Sequence, residues 1–367
     1  MKKAIVILLI LITTTNISSC QNKKDNNEVM KVSKNDKYDF MASSCAPMAY
    51  PAIVVSGNFY LADGTSLYIP AGGRLLKYGW HADGATHVTG PDLKALPNEL
   101  SVTWLSLAEK KFYTGRFKLD YDLIVKYFKK GFYDHHKDYH TYRKINAGLA
   151  PGGVVVVWLD GIGSRVEIGR YKAKETEVTM KNFVPTTNIP KEEYINDKFD
   201  RHIINEVKEE ITQGKISFGL WDTYRIKYNW QPKLVFANGG KATLMSIDYY
   251  NGESVLTYAD NPEIIGYKNN AVPKDIGINW EDKNGNKFGA DIRIGYKYKK
   301  TDDYKEFKEK EKEIFEAFKK INTSSTDKQI DLLFKIDRYN STLKLFLKND
   351  KEEIEIKKAA IKIYENS

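Results

Sequence analysis

Histidine and aspartate are concentrated in one short stretch of the chain, Asp134-His135-His136-Lys137-Asp138-Tyr139-His140. His136 and His140 are four positions apart, so on a helix they would share one face and could bind a metal ion together. No glutamate accompanies them in the HExxH arrangement of zinc enzymes, and Gly131 shortly precedes them. We therefore interpret the stretch as a solvated, histidine-rich loop, and the sequence predicts neither a metal site nor a cofactor.

A second set of residues could support hydrolysis. His81 follows Trp80 in a glycine-rich loop, and Asp83 lies two positions further on. A serine would complete a triad, but no Gly-x-Ser-x-Gly turn presents one. The lone Gly161-Ile162-Gly163 lacks the third glycine of a dinucleotide site, since Val166 occupies that position. A hydrolase stays an alternative, and it would need two carboxylates facing one cleft roughly 5–10 Å apart.

Aromatic and charged residues alternate in a third stretch, between Trp221 and Trp230. Exposed rings there could stack on sugars or anchor a protein partner, and Arg225 could hold a carboxylate with two hydrogen bonds. Alternatively, the indoles fill the core and Asp222 pairs with Arg225, which the usual burial of tryptophan favours. With the tryptophan of the glycine-rich loop added, the candidate ligand- or partner-binding residues are Trp80, Trp221, Tyr224, Arg225, Tyr228 and Trp230.

The N-terminus has the pattern of an export signal. Lys2 and Lys3 precede an apolar run from Ala4 to Ile12, which is too short to span a bilayer as a helix. Ile17-Ser18-Ser19-Cys20 follows and resembles the lipobox of bacterial lipoproteins. The resemblance implies that residues 1–19 are a signal peptide, that the Cys20 sulfur takes a diacylglycerol, and that the new N-terminus is acylated. Gln21, where inner-membrane lipoproteins have aspartate, favours the outer membrane and leaves open which side the body faces.

Composition excludes several classes of protein. The 367 residues are 42% hydrophobic and 29% charged, as in a folded globular protein. The net charge of +9 is spread along the chain without a nucleic-acid-binding module, so no nucleic-acid partner is predicted. Two cysteines are too few for a disulfide scaffold or a cysteine zinc site. With Cys20 lipidated, we expect Cys45 to be a partly buried structural thiol.

The hydrophobic pattern predicts an α+β fold dominated by antiparallel β-sheet. Val154–Leu159 predicts a central strand, because the run is apolar on both faces. Helices are predicted over 121–130, capped by Asp120 and Gly131, over 191–213 and over 302–320. Strands are predicted over 52–61, 66–70, 101–107, 111–119, 164–171, three segments of 232–258, 276–280, 287–298, 330–336, 343–347 and 354–356.

These segments predict four parts of the chain. The signal peptide is followed by a polar, flexible tether over 20–37, rich in lysine and asparagine. A β-rich main domain is expected over 38–300. A charged helix and a C-terminal hairpin are expected over 301–367, packed on the main domain.

Two segments carry a family resemblance, Gly148–Leu159 (GLAPGGVVVVWL) and Phe218–Trp230 (FGLWDTYRIKYNW). With the lipobox and the Tyr50-Pro51 start of the sheet, they resemble the bacterial lipoproteins of domain-of-unknown-function family 2931, over residues 38–350. The resemblance brings no established activity and no catalytic residues. Some members are thought to lie near genes for secretion-system effectors, which implies envelope immunity proteins.

The sequence as a whole therefore predicts an envelope lipoprotein held at a membrane by its acylated Cys20. Its body is expected to be a non-catalytic binding or interaction module with a protein or glycan partner. The alternative is an envelope hydrolase that acts on cell wall or glycan.

Overall fold

The largest sheet of the protein has ten strands. The structure is a computed structural model, and it describes residues 36–80, 82, 84–87, 89–295 and 304–366. Strands are numbered in chain order. Neighbours in this sheet are antiparallel except β12 and β2, which are parallel. Across the sheet the strands are β25 (Ala360–Glu365), β21 (Lys287–Arg293), β20 (Pro273–Asp282), β17 (Gly240–Tyr249), β18 (Ser254–Tyr258), β14 (Ser164–Lys172), β13 (Val154–Gly161), β12 (Lys144–Ala150), β2 (Met41–Cys45) and β6 (Ala85–His87).

Two smaller sheets and two short strand pairs complete the strands. The six-stranded sheet holds β15 (Lys174–Thr176), β9 (Lys111–Lys118), β8 (Pro97–Ser106), β3 (Ala52–Leu61), β4 (Ser66–Tyr68) and β5 (Arg74–Leu76). The five-stranded sheet holds β19 (Lys268–Ala271), β16 (Lys227–Phe236), β22 (Gln329–Ile336), β23 (Leu343–Lys348) and β24 (Glu353–Ile356). The short pairs are β1 (Lys37–Asp39) with β7 (Leu93–Ala95) and β10 (Phe132–Tyr133) with β11 (Tyr139–His140).

The helices are few and mostly short. They are α1 (Tyr121–Lys130), α2 (Met180–Phe183), α3 (Lys191–His202), α4 (Asn205–Thr212), α5 (Leu220–Thr223) and α6 (Tyr304–Ser324), with a 3₁₀ turn at Pro151–Gly153. The predicted α+β class with mainly antiparallel sheet is therefore confirmed. Among the helices of the described residues, none has the length and apolar character needed to cross a membrane.

Helix α1 begins and ends where its caps predict. The Asp120 side chain accepts a hydrogen bond from the Leu123 amide, and the Gly131 amide donates to the Tyr127 carbonyl. By contrast, the single helix predicted over 191–213 is wrong. It is interrupted at Ile203 and Ile204, which are both extended, and Ile203 is buried in the core.

The described residues belong to one compact unit with a continuous apolar core. Strand β13 lies between β12 and β14 with residues 154–160 all buried, so the predicted central strand is confirmed. Helix α6 packs on β22, β23 and β24 through its buried Ile314, Phe318 and Ile321. The signal peptide, Cys20 and the tether as far as residue 35 lie outside the described residues.

Candidate binding pocket

An apolar pocket lies where the turn after β2, the loop before β6, helix α5 and the first turn of α6 meet. Its wall is mostly aromatic: Tyr50, Trp80, Trp221, Tyr224, Tyr250, Tyr304 and Phe307. Smaller and basic residues complete it: Pro47, Met48, Ala49, Gly79, Leu220, Lys274 and Lys308. We call this site the aromatic pocket. Its cavity volume is about 70 Å³, whereas one water needs about 10–15 Å³, so a single side chain or a small ligand group fits.

The rings of the aromatic pocket are held by one another. The centroids of Trp80 and Trp221 are 5.1 Å apart with their planes at 36°. Trp158 meets Trp80 edge-on, 5.1 Å away at 89°. Gly148 makes this close packing possible, because a Cβ there would lie 2.4 Å from the Trp158 ring and 3.2 Å from Trp80. These are favourable aromatic geometries, and they fix the shape of the cavity.

The indole N–H of Trp221 has no hydrogen-bond partner among the described residues, although Trp221 is only 3% exposed. Other buried indoles are satisfied: Trp158 donates to the Asn251 carbonyl at 3.2 Å and Trp230 to the Ala271 carbonyl at 3.1 Å. Trp104 shares the unpaired state but does not line the pocket. A buried donor left without an acceptor costs about 1–3 kcal/mol. Trp221 lines the aromatic pocket, so a residue of the pocket wall carries an unpaired donor.

Two carboxylates support the tyrosines of the wall from α4 and α6. Glu210 accepts hydrogen bonds from the hydroxyls of Tyr50 (2.9 Å) and Tyr304 (3.3 Å). Glu311 accepts from the Tyr224 hydroxyl at 2.6 Å and pairs with the Lys308 ammonium at 3.0 Å. Burial, reinforced by Glu311, holds the pKa of the Tyr224 phenol well above its usual range. The phenols therefore stay neutral donors, and both carboxylates are engaged in holding the wall.

The structure brings three of the six predicted binding residues together. Trp80, Trp221 and Tyr224 line the aromatic pocket. Trp230 is completely buried, and the half-buried Tyr228 stacks on Phe318 at 5.3 Å. An exposed aromatic surface over 221–230 is therefore wrong, and the alternative, in which the indoles enter the core, is confirmed for both tryptophans of that segment.

Arg225 and Asp222 do not pair with each other, so that part of the prediction is wrong. The Arg225 guanidinium binds Glu167 of β14 at 2.7 Å, through both Nε and Nη2. Asp222 accepts from Arg170 Nη2 at 2.8 Å. Asp222 and Arg225 thus each bind a residue of β14. These ion pairs hold the α5 region so that Trp221 and Tyr224 line the pocket, whereas Arg225 does not.

The remaining candidates are not part of this site. His136 and His140 lie in a turn and in β11, so they do not share a helix face, and His140 Nε2 contacts Asp134 Oδ2 at 2.9 Å. No metal-binding group of histidine, cysteine and acidic residues is present within the described residues. Cys45 is buried and its thiol donates to the Trp80 carbonyl at 3.4 Å, which confirms a structural thiol. His81 and Asp83 lie outside the described residues.

Several wall residues were missed from the sequence. Tyr250, Tyr304 and Phe307 come from segments far apart in the chain, and each has an ordinary sequence context. Glu210 and Glu311 occupy helices with many charged residues, where nothing local distinguishes them. The one local signal concerns Glu311, which lies on the same helix face as the buried Ile314 and Phe318.

The fold and pocket define a mostly antiparallel α+β body with an aromatic, largely apolar cavity. The sequence matches a model of the family described as "Protein of unknown function (DUF2931)" over residues 20–219, which is more than half of the chain. The protein belongs to this family. The match ends at residue 219, short of the expected 350, so Trp221, Tyr224 and the wall residues of α6 lie beyond it. No curated protein and no solved structure matches the chain.

Proposed function

We propose that the protein is a lipid-anchored envelope protein whose body is a non-catalytic binding module. The observation that carries the proposal is the aromatic pocket with the unpaired Trp221 N–H. Aromatic anchors in narrow, desolvated pockets account for much of the affinity at protein interfaces. The proposed ligand is a partner protein that inserts one apolar side chain and offers a carbonyl oxygen to the indole.

The chemistry of the wall favours binding over hydrolysis. The described residues of the wall supply rings, aliphatic side chains, phenols and two lysine ammoniums. Glu210 and Glu311, which contact the wall, accept hydrogen bonds from its tyrosines. A glycosidase instead needs one carboxylic acid and one carboxylate presented to the substrate. An envelope hydrolase is therefore the second candidate function.

The low exposure of the aromatic rings favours a protein partner over a glycan. Sugars stack on the exposed face of an aromatic side chain, but Trp80 is 7% exposed and Trp221 is 3% exposed. The cavity is also narrow and mostly apolar, which suits an aliphatic or aromatic side chain better than a ring of hydroxyl groups. An immunity-type role, in which the partner is an effector protein, is one form of this proposal.

The anchor is proposed from the sequence of the N-terminus. The basic start, the short apolar run and Ile17-Ser18-Ser19-Cys20 support it, and the family match begins at Cys20. Several acyl chains on one residue would give stable membrane attachment. With Gln21 after the cysteine, we propose the outer membrane as the location.

Cys20→Ser tests the anchor. We expect the natural protein to fractionate with outer membranes and to exceed its polypeptide mass by the mass of the lipid. The variant should lose both properties and retain its signal peptide. Membrane sedimentation of the variant, together with an unmodified mass for the natural protein, would contradict the anchor.

A pull-down from native envelopes tests the pocket. The full-length lipidated protein is compared with Ala49→Trp, which fills the pocket from a partly buried wall position, and with Tyr339→Trp, an equally bulky change at a residue 66% exposed. We expect a protein partner, with products of neighbouring genes tested first, to be captured by the natural protein and Tyr339→Trp but not by Ala49→Trp. Equal capture by all three would reject the pocket.

The hydrolase reading has its own assay. The purified protein is incubated with peptidoglycan, and soluble sugar fragments are quantified alongside Glu210→Gln and Glu311→Gln. We expect no release above the background of a heat-denatured sample. Release that both variants abolish, while both remain folded at the assay temperature, would replace the binding module with an enzyme.

A further inference from the structure

A second groove adjoins the aromatic pocket. Met48, Ala49 and Tyr304 line both cavities. The far side of the second groove is formed by Lys77 and Tyr78 from the loop after β5 and by Arg201, His202 and Ile204 from the end of α3. Its cavity volume is about 370 Å³. We call it the basic groove, because Lys77, Arg201 and His202 are the titratable side chains, other than the phenols, that the structure describes in its wall.

The positive charge of the basic groove is only partly compensated. Lys77 makes no ion pair with any described residue, and Arg201 pairs with Asp197 at 2.7 Å on the exposed side of α3. Burial and then the charges of Lys77, Lys198 and Arg201 lower the pKa of His202 below its usual value, with Asp197 acting in the opposite direction. Lys77 and Arg201 are thus the charged side chains described in the groove wall, and an anionic group beside them would be stabilised.

The rim between groove and solvent is apolar. Tyr78 is 60% exposed and Ile204 is 39% exposed. An exposed ring beside lysine and arginine side chains is typical of protein interfaces, where aromatic residues and arginine are enriched. The aromatic pocket, the basic groove and this rim are contiguous through their shared lining residues, so one extended ligand could contact all three.

We propose that the partner segment is acidic: one apolar side chain enters the aromatic pocket, a backbone carbonyl accepts from Trp221, and neighbouring carboxylates lie over Lys77 and Arg201. This inference rests on the proposed function and names the chemistry of its partner. A peptide supplies the apolar group and the carbonyl acceptor together, whereas the acyl chain of an anionic lipid supplies no acceptor beside it and exceeds the 70 Å³ cavity. Anionic lipid is therefore an outcome of the test.

The test is a selection from a random dodecapeptide library displayed on phage, against the full-length protein in neutral detergent. Ala49→Trp serves for counter-selection. We expect enriched peptides to carry a large apolar residue with aspartate or glutamate within a few positions. Synthetic versions of the enriched peptides are then titrated against Lys77→Glu/Arg201→Glu, and against the milder Lys77→Gln/Arg201→Gln in case the reversal disturbs α3. The control is Lys348→Glu/Arg338→Glu, which changes a lysine and an arginine that are exposed and outside both cavities.

Each outcome decides a different claim. Affinity at least about tenfold weaker in both groove variants, and unchanged in the control, supports the acidic partner. Enriched apolar peptides without acidic residues, or unchanged affinity in the groove variants, overturn the acidic partner and leave the proposed function standing. No enrichment over Ala49→Trp overturns the proposed function itself. If phosphatidylglycerol vesicles, but not phosphatidylcholine vesicles, displace the peptides, and the groove variants abolish this displacement, the basic groove binds anionic lipid and the inference is wrong.

Discussion

Two tryptophans of one segment have opposite hydrogen-bond states. Trp230 is completely buried and donates to the Ala271 carbonyl at 3.1 Å, whereas Trp221 is 3% exposed and donates to no described residue. Both look alike in the sequence, because burial of the ring is a matter of hydrophobicity while satisfaction of the N–H depends on a carbonyl far away in the chain. Trp104 is also buried and unpaired, so an unpaired indole does not by itself mark a binding residue; Trp221 differs from Trp104 and Trp230 in lining the aromatic pocket, and we therefore assign it the binding role and Trp230 a structural one.

The same substitution at both positions separates these roles. Trp221→Phe removes an unsatisfied donor, so we expect the free energy of unfolding to stay within about 1 kcal/mol of the natural protein while partner affinity falls. Trp230→Phe removes a satisfied hydrogen bond and leaves a buried carbonyl unpaired, so it should be less stable than Trp221→Phe by about 1–2 kcal/mol. Urea unfolding and peptide titration measure the two quantities. A Trp221→Phe protein that is the less stable of the two would contradict this account.

His202 predicts how binding depends on pH. Burial and the cations Lys77, Lys198 and Arg201 hold its pKa below the usual value, so the imidazole is neutral in the free protein at pH 7. Its contribution to folding stability is present above its unfolded pKa of about 6.5 and is lost as the pH falls through the lower folded pKa. An acidic partner would raise the pKa of His202, so binding takes up a proton and strengthens on acidification.

The measurement is the affinity of a selected acidic peptide at pH 7.5 and pH 5.5, a range in which aspartate and glutamate of the peptide, with pKa values of about 4, stay ionised. We expect tighter binding at the lower pH for the natural protein and a smaller change for His202→Asn. An affinity that falls on acidification in the natural protein would show that no anion lies beside His202.

At the scale of elements, the ends of a helix are predicted correctly where both capping residues lie within the segment itself. Helix α1 was predicted with both ends because Asp120 and Gly131 supply its caps within the segment itself. The helix predicted over 191–213 failed because burial of Ile203 outweighs the helical preference of its neighbours. The parallel pairing of β16 with β22 joins Asn229–Phe236 to Gln329–Ile336, and no local pattern encodes such a distant partner.

The aromatic pocket likewise contains some residues that the sequence identifies and others that only the tertiary fold brings together. The sequence predicts Trp80, Trp221 and Tyr224 as binding residues, because they are aromatic side chains in a glycine-rich loop or in a stretch of mixed aromatic and charged residues. The opposite wall, with Tyr304 and Phe307, required knowledge of where α6 packs, which only the tertiary fold supplies. A sequence can therefore identify candidate side chains, while their convergence on one cavity depends on pairing between remote strands and helices.

A tyrosine hydroxyl links the end of α5 to α6. The Tyr224 phenol donates to Glu311 at 2.6 Å, whereas the Tyr228 hydroxyl makes no hydrogen bond with a described residue. Because hydrogen bonds to charged groups contribute about 1.5–3 kcal/mol, we expect Tyr224→Phe to lose stability in that range. Tyr228→Phe, the matched control in the same segment, should change stability by less than about 0.5 kcal/mol. Equal losses in urea unfolding would mean that the Tyr224–Glu311 bond does not hold the two helices together.

At the scale of the whole molecule, the two ends of the described chain enter one sheet. Strand β2 lies near one edge of the ten-stranded sheet, and β25 forms the other. The five-stranded sheet likewise combines strands from 227–271 with strands from 329–356. Residues on either side of position 300 thus share hydrogen-bonded sheets, which leads us to expect cooperative unfolding of the body rather than separate unfolding of 38–300 and 301–367.

Strand β25 provides the means to test that cooperativity. Ile363 packs against the core, whereas its neighbour Lys362 is exposed on the other face of the strand. Ile363→Asp places a charge against apolar residues at the edge of the sheet and should destabilise the protein by about 2 kcal/mol or more, while Lys362→Asp should change stability by less than about 0.5 kcal/mol. Hydrogen exchange of β12–β14 reports on residues before 300, and exchange of β22–β24 reports on residues after it. If the body is one cooperative unit, Ile363→Asp lowers the free energy of exchange of β12–β14 and of β22–β24 by the same amount. Exchange that accelerates in β22–β24 and stays unchanged in β12–β14 would show that the C-terminal residues unfold on their own.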